Sequence, residues 1–127
     1  LLKKLKGYFI EVETSASLKP FINEYVDQYN CSPKLSNSGN RSIKLEKFPK
    51  EKSYYKFVVS TEKNLIEIKD FIKKHKLPRE KVLLMPEGIT KRELQKKSLW
   101  LAEICKKENL RFSPRLHINL WGNKRKV

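Results

Sequence analysis

The sequence has little cysteine and glycine and no long hydrophobic run, and each shortage excludes a class of protein. Two cysteines, Cys31 and Cys105, lack the spacing of a metal motif or a disulfide scaffold and indicate free thiols in a reducing compartment. Four glycines and 10% aromatic residues argue against a disordered chain. No run approaches the roughly 18 apolar residues of a membrane span, and the first residues do not resemble a signal peptide. We therefore expect a cytoplasmic globular protein without a membrane partner.

Acidic residues are the other shortage. The 29 Lys and Arg residues against 14 Asp and Glu give a net charge of +15, which is compatible with a nucleic-acid partner. The lysines are spread along the chain, however, and in two helical segments they alternate with Glu and Asp, as on solvated outer faces. We therefore expect no nucleic-acid partner, and we keep a non-enzymatic basic RNA-binding module as the alternative function.

Short apolar segments alternate with amphipathic ones along 127 residues, the length of one domain. Enrichment in β-branched and aromatic residues predicts strands, at 8–13, 26–31, 54–59, 82–85 and 116–121. Residues 1–7 have the pattern of the end of a helix, with Gly7 as the residue after its cap. This order predicts an α/β fold with a mostly parallel sheet, and the opening segment indicates that the chain begins inside a repeating β/α architecture.

Two helices are predicted between the later strands. Thr61 is the expected N-cap of the first helix, with Asn64 three residues later, and Pro78 follows its end. Thr90 and Glu93 form a capping-box signature for the second helix, which Asn109 is expected to end. Helical spacing predicts two buried stripes: Leu65, Ile66, Ile68, Phe71 and Ile72 in the first helix, and Leu94, Leu99, Trp100 or Leu101, Ile104 and Cys105 in the second.

Polar residues follow several predicted strands. They lie at 13–15 after the first strand, at 32–34 after the second, at Ser60 after the third and at 85–87 after the fourth. In parallel sheets, ligands bind beyond the carboxyl ends of the strands. We therefore expect a binding site at this edge of the sheet, and its residue types alone do not specify a reaction.

Five motifs in order carry a resemblance: VETSASLKPF, SPKLSNSGN, YKFVV, VLLMPEGIT and RFSPRLHINLWGNKR. Together they resemble the carboxy-terminal part of 7-carboxy-7-deazaguanine synthase, a radical S-adenosylmethionine (SAM) family of the queuosine and archaeosine pathway. The resemblance covers essentially the whole chain. It implies a partial (β/α) barrel of the radical SAM type, of which residues 1–127 would be the C-terminal part of a single domain.

The resemblance also implies an activity and its cofactors. The family is a lyase that contracts the ring of 6-carboxy-5,6,7,8-tetrahydropterin to 7-carboxy-7-deazaguanine with loss of ammonia, using SAM, a [4Fe-4S] cluster and Mg²⁺. Implied partners are the pterin substrate, a second copy in a homodimer, and flavodoxin or ferredoxin as electron donor. The sequence departs from the family pattern in lacking the three-cysteine cluster motif, the Mg²⁺-binding threonine and the GGEP-type segment. Because a cluster needs three or four thiolates, we expect this chain alone to be inactive.

The resemblance assigns four residues to SAM. Glu13 would contact the ribose hydroxyls or the ammonium group, and Ser32 would donate to a ribose oxygen. Lys34 would pair with a carboxylate, and Met85 would offer packing or backbone groups near the adenine. Alternatives remain open from the residues alone: Glu11 shares a face with Glu13, Lys34 fits a solvated turn, and Met85 fits the core.

The resemblance assigns two residues to the pterin. His117 would hydrogen-bond the heterocycle, which suits an imidazole that donates or accepts. A lone histidine in a strand is also often structural. Val127, as the chain terminus, would approach the substrate. His75 lies in the KKHK stretch at a predicted helix end, where we expect a surface position.

Overall fold

The computed structural model describes residues 1–39 and 45–124. A five-stranded sheet in the order β1-β2-β3-β4-β5 forms its centre, and each neighbouring pair is parallel. The strands are β1 (Glu11–Thr14), β2 (Gln28–Cys31), β3 (Ser53–Val59), β4 (Val82–Pro86) and β5 (Arg111–Phe112). The helices are α1 (Glu62–His75), α2 (Lys91–Glu108) and α3 (Leu116–Trp121). The expected α/β class with a parallel sheet is confirmed, and the architecture is a partial β/α fold.

The two long helices begin and end where the sequence predicts. Thr61 with Asn64, and Thr90 with Glu93, form capping boxes that satisfy free backbone N–H groups at the helix starts. Asn109 ends α2 in the left-handed conformation, which asparagine tolerates better than most residues. In the described ranges, no helix has both the length and the apolarity to cross a membrane.

One face of the sheet is buried and the other is open. Side chains alternate along a strand, so Tyr55, Phe57 and Val59 of β3 point into the core while Lys56 and Val58 stay half-buried. Helices α1 and α2 cover the buried face, where Phe57 meets Phe71 of α1 edge to face with ring centroids 5.4 Å apart. The helices therefore leave the face that carries Lys56 uncovered in the described part of the chain.

Three expectations about local structure are wrong. Residues 116–121 form a short helix rather than a strand, and the last strand is the two-residue β5. The alternation of Leu116, Ile118 and Leu120 is typical of a strand, but only Ile118 is buried. Ile66 and Leu99 were placed on the buried stripes, yet they are 65% and 72% exposed. Each precedes a buried residue, Ile68 or Leu101, by two positions and therefore lies about 200° around the helix from it, on the outer side.

The structure also shows how the N-terminal segment and His75 compare with what the sequence predicts. Leu2–Leu5 is a single 3₁₀ turn, and Gly7 adopts a positive φ of 94° just beyond its cap. His75 is half-buried rather than on the surface, because its ring packs on Phe71 with centroids 4.4 Å apart. Burial and the neighbouring Lys74 charge lower the pKa of His75.

Candidate functional site

Polar side chains from three neighbouring strands meet on the open face of the sheet. Glu13 of β1 lies beside Asn30 of β2, whose strand neighbour is Tyr54 of β3. Asn30 Nδ2 donates to Glu13 Oε1 at 3.3 Å, and Lys56 Nζ lies 3.7 Å from the same oxygen. The Glu13 side chain is 65% exposed and that of Lys56 is 29% exposed. The carboxylate is therefore held in position yet remains open to a ligand.

Glu11 belongs to the same network. It accepts hydrogen bonds from Gln28 Nε2 at 2.9 Å and from Asn30 Nδ2, and Gln28 also donates to Asn30 Oδ1 at 3.0 Å. Glu11 therefore has two amide partners from β2, whereas Glu13 lies farther toward the carboxyl end, beside the lysine. Of the two competing glutamates, Glu13 is the one closer to the edge where ligands of parallel sheets bind.

A cavity of about 310 Å³ lies over the middle of this face. Lys56, Asn30 and Tyr54 line it from the central strands, and Arg111 and Ser113 line it from the far side. The Tyr54 ring is fixed by two cations, with Lys81 Nζ 5.3 Å and Arg111 Cζ 5.5 Å from its centroid. The cavity thus combines an aromatic wall with hydrogen-bond donors.

A second cavity of about 270 Å³ lies at the carboxyl ends of β2, β3 and β4. Its walls combine polar side chains with a proline, a leucine and a valine, and Lys56 lines both cavities. The residues around the second cavity include Ser32, Pro33, Lys34, Asn37, Ser60 and Glu87. Because Lys56 is shared, the two cavities adjoin at this side chain and can hold separate parts of one extended ligand.

The rim of the second cavity is rigidly supported. Asn37 Nδ2 donates to Ser60 Oγ at 3.1 Å, and Ser36 donates to Glu67 of α1 through its backbone N at 2.9 Å and its Oγ at 2.8 Å. On the opposite side, Glu87 pairs with Lys97 of α2 at 2.7 Å. These contacts fix the loop after β2 against α1, so its polar groups are preorganised.

The structure brings together most of the residues predicted to bind SAM. Glu13 lies on the open face, Ser32 and Lys34 line the second cavity, and the Ser32 backbone N donates to the Thr14 carbonyl at 2.7 Å. Met85 is half-buried on the same face, paired in register with Val58. It lines neither of the two cavities. Their binding roles stay predictions.

The two residues predicted to bind the pterin are placed differently. His117 is exposed on α3, where its Nε2 hydrogen-bonds the Lys124 carbonyl and its ring lies 5.7 Å from that of Trp121. It lines neither of the two cavities. The start of α3 does approach the carboxyl edge, because Arg115 Nη1 donates to the Gly88 carbonyl at 2.8 Å. Val127 lies outside the described residues.

Sequence reasoning missed Lys56, Asn30 and Asn37. Lys56 lies within the β-prone run YYKFVV. A single cation among apolar residues was the only signal in this run that one face of the strand is open. Asn30 belongs to the second predicted strand rather than to its end. Asn37 lies in the 3₁₀ turn Ser36–Ser38, and it lines the second cavity.

The cysteines do not fit an iron–sulfur cluster. Cys31 is buried in β2 and Cys105 is buried in α2, and burial raises their pKa values to about 12 and about 11. Cluster ligands must be thiolates, which such burial disfavours. Across residues 1–39 and 45–124, no three His, Cys, Asp or Glu side chains group as metal ligands. Within the described part of this chain, neither cysteine is placed as a cluster ligand.

Comparison with known proteins gives two named relatives, and no family model matches the chain. The 7-carboxy-7-deazaguanine synthase of Pyrobaculum aerophilum is 36% identical over 121 residues, which cover 91% of this chain and 54% of the relative. The protein of the same name from Hyperthermus butylicus is 33% identical over 70 residues, which cover 53% of this chain and 30% of the relative. The chain thus spans about half the length, or less, of these relatives. The resemblance inferred from the motifs is confirmed.

Proposed function

From its similarity to 7-carboxy-7-deazaguanine synthases over most of its length, we propose that this chain forms part of the SAM and pterin pocket of such an enzyme. The reaction is the ring contraction of 6-carboxy-5,6,7,8-tetrahydropterin to 7-carboxy-7-deazaguanine with loss of ammonia, in 7-deazapurine biosynthesis. The observation that carries the proposal is the continuous polar surface from Glu13 through Lys56 to Ser32 and Lys34.

The chemistry of these side chains suits SAM. The carboxylate of Glu13 matches an ammonium group or a pair of ribose hydroxyls, and the Ser32 hydroxyl matches a ribose oxygen. The exposed Lys34 ammonium matches the carboxylate of the methionine part of the cofactor. Bound there, SAM would supply a hydrogen-abstracting radical once an electron arrives from a [4Fe-4S] cluster.

The residues on the open face have three tasks in this proposal. Asn30 and Lys56 hold the Glu13 carboxylate in one orientation, so little conformational freedom is lost when a ligand binds. Tyr54, clamped by Lys81 and Arg111, offers a flat surface for a heterocycle. His117 would hydrogen-bond the pterin, and Val127 would approach it.

We place the cluster and Mg²⁺ ligands in polypeptide beyond these 127 residues. Strand β1 pairs only with β2 in the described ranges, and large apolar side chains flank it in exposed positions: Tyr8, Phe9, Leu18 and Phe21. An edge strand beside exposed apolar surface is suited to docking further structure. The holoenzyme would then act as a homodimer in the cytoplasm, reduced by flavodoxin or ferredoxin.

Calorimetric titration of the 127-residue chain with SAM tests the pocket. Glu13→Gln and Ser32→Ala are each expected to weaken binding, about tenfold or more for Glu13→Gln because a charge-assisted hydrogen bond contributes roughly 1.5–3 kcal/mol. Glu103→Gln, an exposed carboxylate on the outer side of α2, is the matched control and should leave the affinity unchanged. Equal affinities for Glu13→Gln and Glu103→Gln would contradict the assignment.

Iron analysis tests the placement of the cluster. After anaerobic incubation with ferrous iron and sulfide, the chain is expected to retain no iron, since its two cysteines are buried in separate elements, β2 and α2. Retention of about four irons per chain would show that this chain holds the cluster itself.

A further inference from the structure

A third cavity, lined by several lysines, lies at the amino ends of β3 and β4. We call this end of the sheet the amino edge. A cavity of about 430 Å³ opens between the segment before β3 and the end of α1. One glutamate, Glu46, and four lysines line it: Lys47 and Lys50 from the first segment, and Lys74 and Lys76 from the second. All four are exposed. They stand at the amino ends of β3 and β4, away from the open-face residues described above.

Three lysines at this end of the sheet donate hydrogen bonds to backbone carbonyl groups. Lys50 Nζ donates to the Lys76 carbonyl at 3.1 Å, and Lys81 Nζ donates to the Lys50 carbonyl at 3.0 Å and to that of Glu51. Lys52 Nζ donates to the carbonyls of Asn23 and Val26 at 3.0 and 2.8 Å. Such bonds order an ammonium group without neutralising it, so its positive charge remains available.

Three lysines on the long helices form ion pairs with glutamates. Lys69 pairs with Glu108 at 2.7 Å, Lys97 with Glu87 at 2.7 Å, and Lys106 with Glu103 at 3.0 Å. Within residues 1–39 and 45–124, no ion pair joins Lys50, Lys52 or Lys81 to a carboxylate. Lys50, Lys52 and Lys81 therefore keep their positive charge at the amino ends of the strands, whereas these three helix lysines are neutralised by glutamates.

The apolar groups of this cavity are largely covered. Phe48, Tyr55 and Leu77 line it and are buried in the core, and Leu45, which also lines it, is half-buried. A protein partner would find little apolar surface to bury there, whereas interfaces between proteins have an apolar centre. A phosphate backbone needs only placed cations, because release of its condensed counterions drives binding.

We propose that the amino edge of the sheet, formed by Lys47, Lys50, Lys74 and Lys76, binds the phosphate backbone of a nucleic acid. Composition alone argued against such a partner, because the lysines are spread evenly along the sequence. The fold changes this expectation by bringing together lysines from two separate segments. The inference does not depend on the proposed function, since none of these four lysines lines the two cavities of the candidate site.

Fluorescence anisotropy with a labelled 12-nucleotide oligo(U) tests the proposal, with the salt concentration varied. The test variant is the triple substitution Lys47→Gln, Lys50→Gln and Lys74→Gln. The control is the triple substitution Lys91→Gln, Arg92→Gln and Lys96→Gln, which removes the same charge from exposed positions of α2. Circular dichroism of both variants verifies that each retains the fold.

The two variants should behave differently if the edge is a site. Each phosphate contact to a single strand contributes about 0.7 to the slope of log K against log salt. The test variant should therefore bind roughly tenfold to a hundredfold more weakly near 0.1 M salt, with a slope smaller by about 2. The control variant should bind nearly as the parent does.

Three results would overturn the proposal. Equal weakening in both variants would show that net charge alone attracts the RNA. Tight binding of poly-glutamate, lost selectively in the test variant, would make the surface a site for an acidic protein. Competition by inorganic tripolyphosphate at the same concentration of phosphate groups as the RNA would identify a free polyphosphate ligand, whereas much weaker competition supports a nucleic-acid backbone.

Discussion

Truncation of two leucines on α2 tests which side of this helix packs on the sheet. Leu101 is fully buried in the core, whereas Leu99 is 72% exposed two residues earlier. Leu101→Ala removes three buried carbon groups, which cost about 2.4 kcal/mol at roughly 0.8 kcal/mol each. The remaining cavity raises the expected loss to about 3–4 kcal/mol. Leu99→Ala should change the free energy of unfolding by no more than about 0.5 kcal/mol.

Urea denaturation followed by circular dichroism measures both changes. A domain of this size has a slope of about 2 kcal/mol per molar urea, so Leu101→Ala should lower the midpoint by roughly 1.5–2 M. The slope should stay the same, because the exposed surface on unfolding hardly changes. The two substitutions share residue type and helix, so propensity effects cancel. A loss for Leu99→Ala as large as that for Leu101→Ala would refute the packing described here.

Three further predictions concern titratable and capping groups. Iodoacetamide at pH 8 should modify Cys31 slowly in the native chain and rapidly in urea, because burial raises its pKa to about 12; equal rates would contradict its burial. Backbone hydrogen bonds from Ile89 and Thr90 lower the pKa of Glu93. The ionised Glu93 side chain therefore stabilises the fold above pH 4.5, its ordinary pKa, and this stabilisation is lost as the pH falls below that value. In thermal melts, Glu93→Gln should flatten this part of the profile of stability against pH. The lowered pKa of His75 means that the neutral imidazole stabilises the fold above pH 6.5 and that this stabilisation is lost as the pH falls. NMR titration of Lys74→Gln should show a higher pKa for His75, and an unchanged pKa would exclude the effect of the Lys74 charge.

Much of the fold follows from local signals in the sequence. The capping boxes at Thr61 and Thr90 and the left-handed Asn109 were predicted because their chemistry is contained within a few residues. The segment 116–121 was not, because its apolar residues alternate as in a strand while its backbone forms a helical turn with one buried side chain. Contacts distant in sequence decide between these states, and periodicity over six residues does not contain them.

The candidate site was predictable to the extent that it lies at strand ends. Ser32 and Lys34 follow β2 directly, so the rule for parallel sheets leads to them without knowledge of the register. Lys56 and Asn30 lie inside strands, and their role depends on which face is open. Which face is open depends on the packing of α1 and α2, and these two helices cover one side of the sheet.

The polarity of the open face is itself an argument for a ligand. Parallel sheets are generally covered on both faces and have apolar strands, yet this face carries Glu11, Glu13, Asn30 and Lys56 in mutual contact. Covering these groups with an apolar layer would cost several kcal/mol for each uncompensated charge. The sequence therefore favours a hydrated or ligand-filled space over this face. The core needs none of these side chains for packing, since Tyr55, Phe57 and Leu84 fill it from the other side. A binding role explains both their residue types and their position.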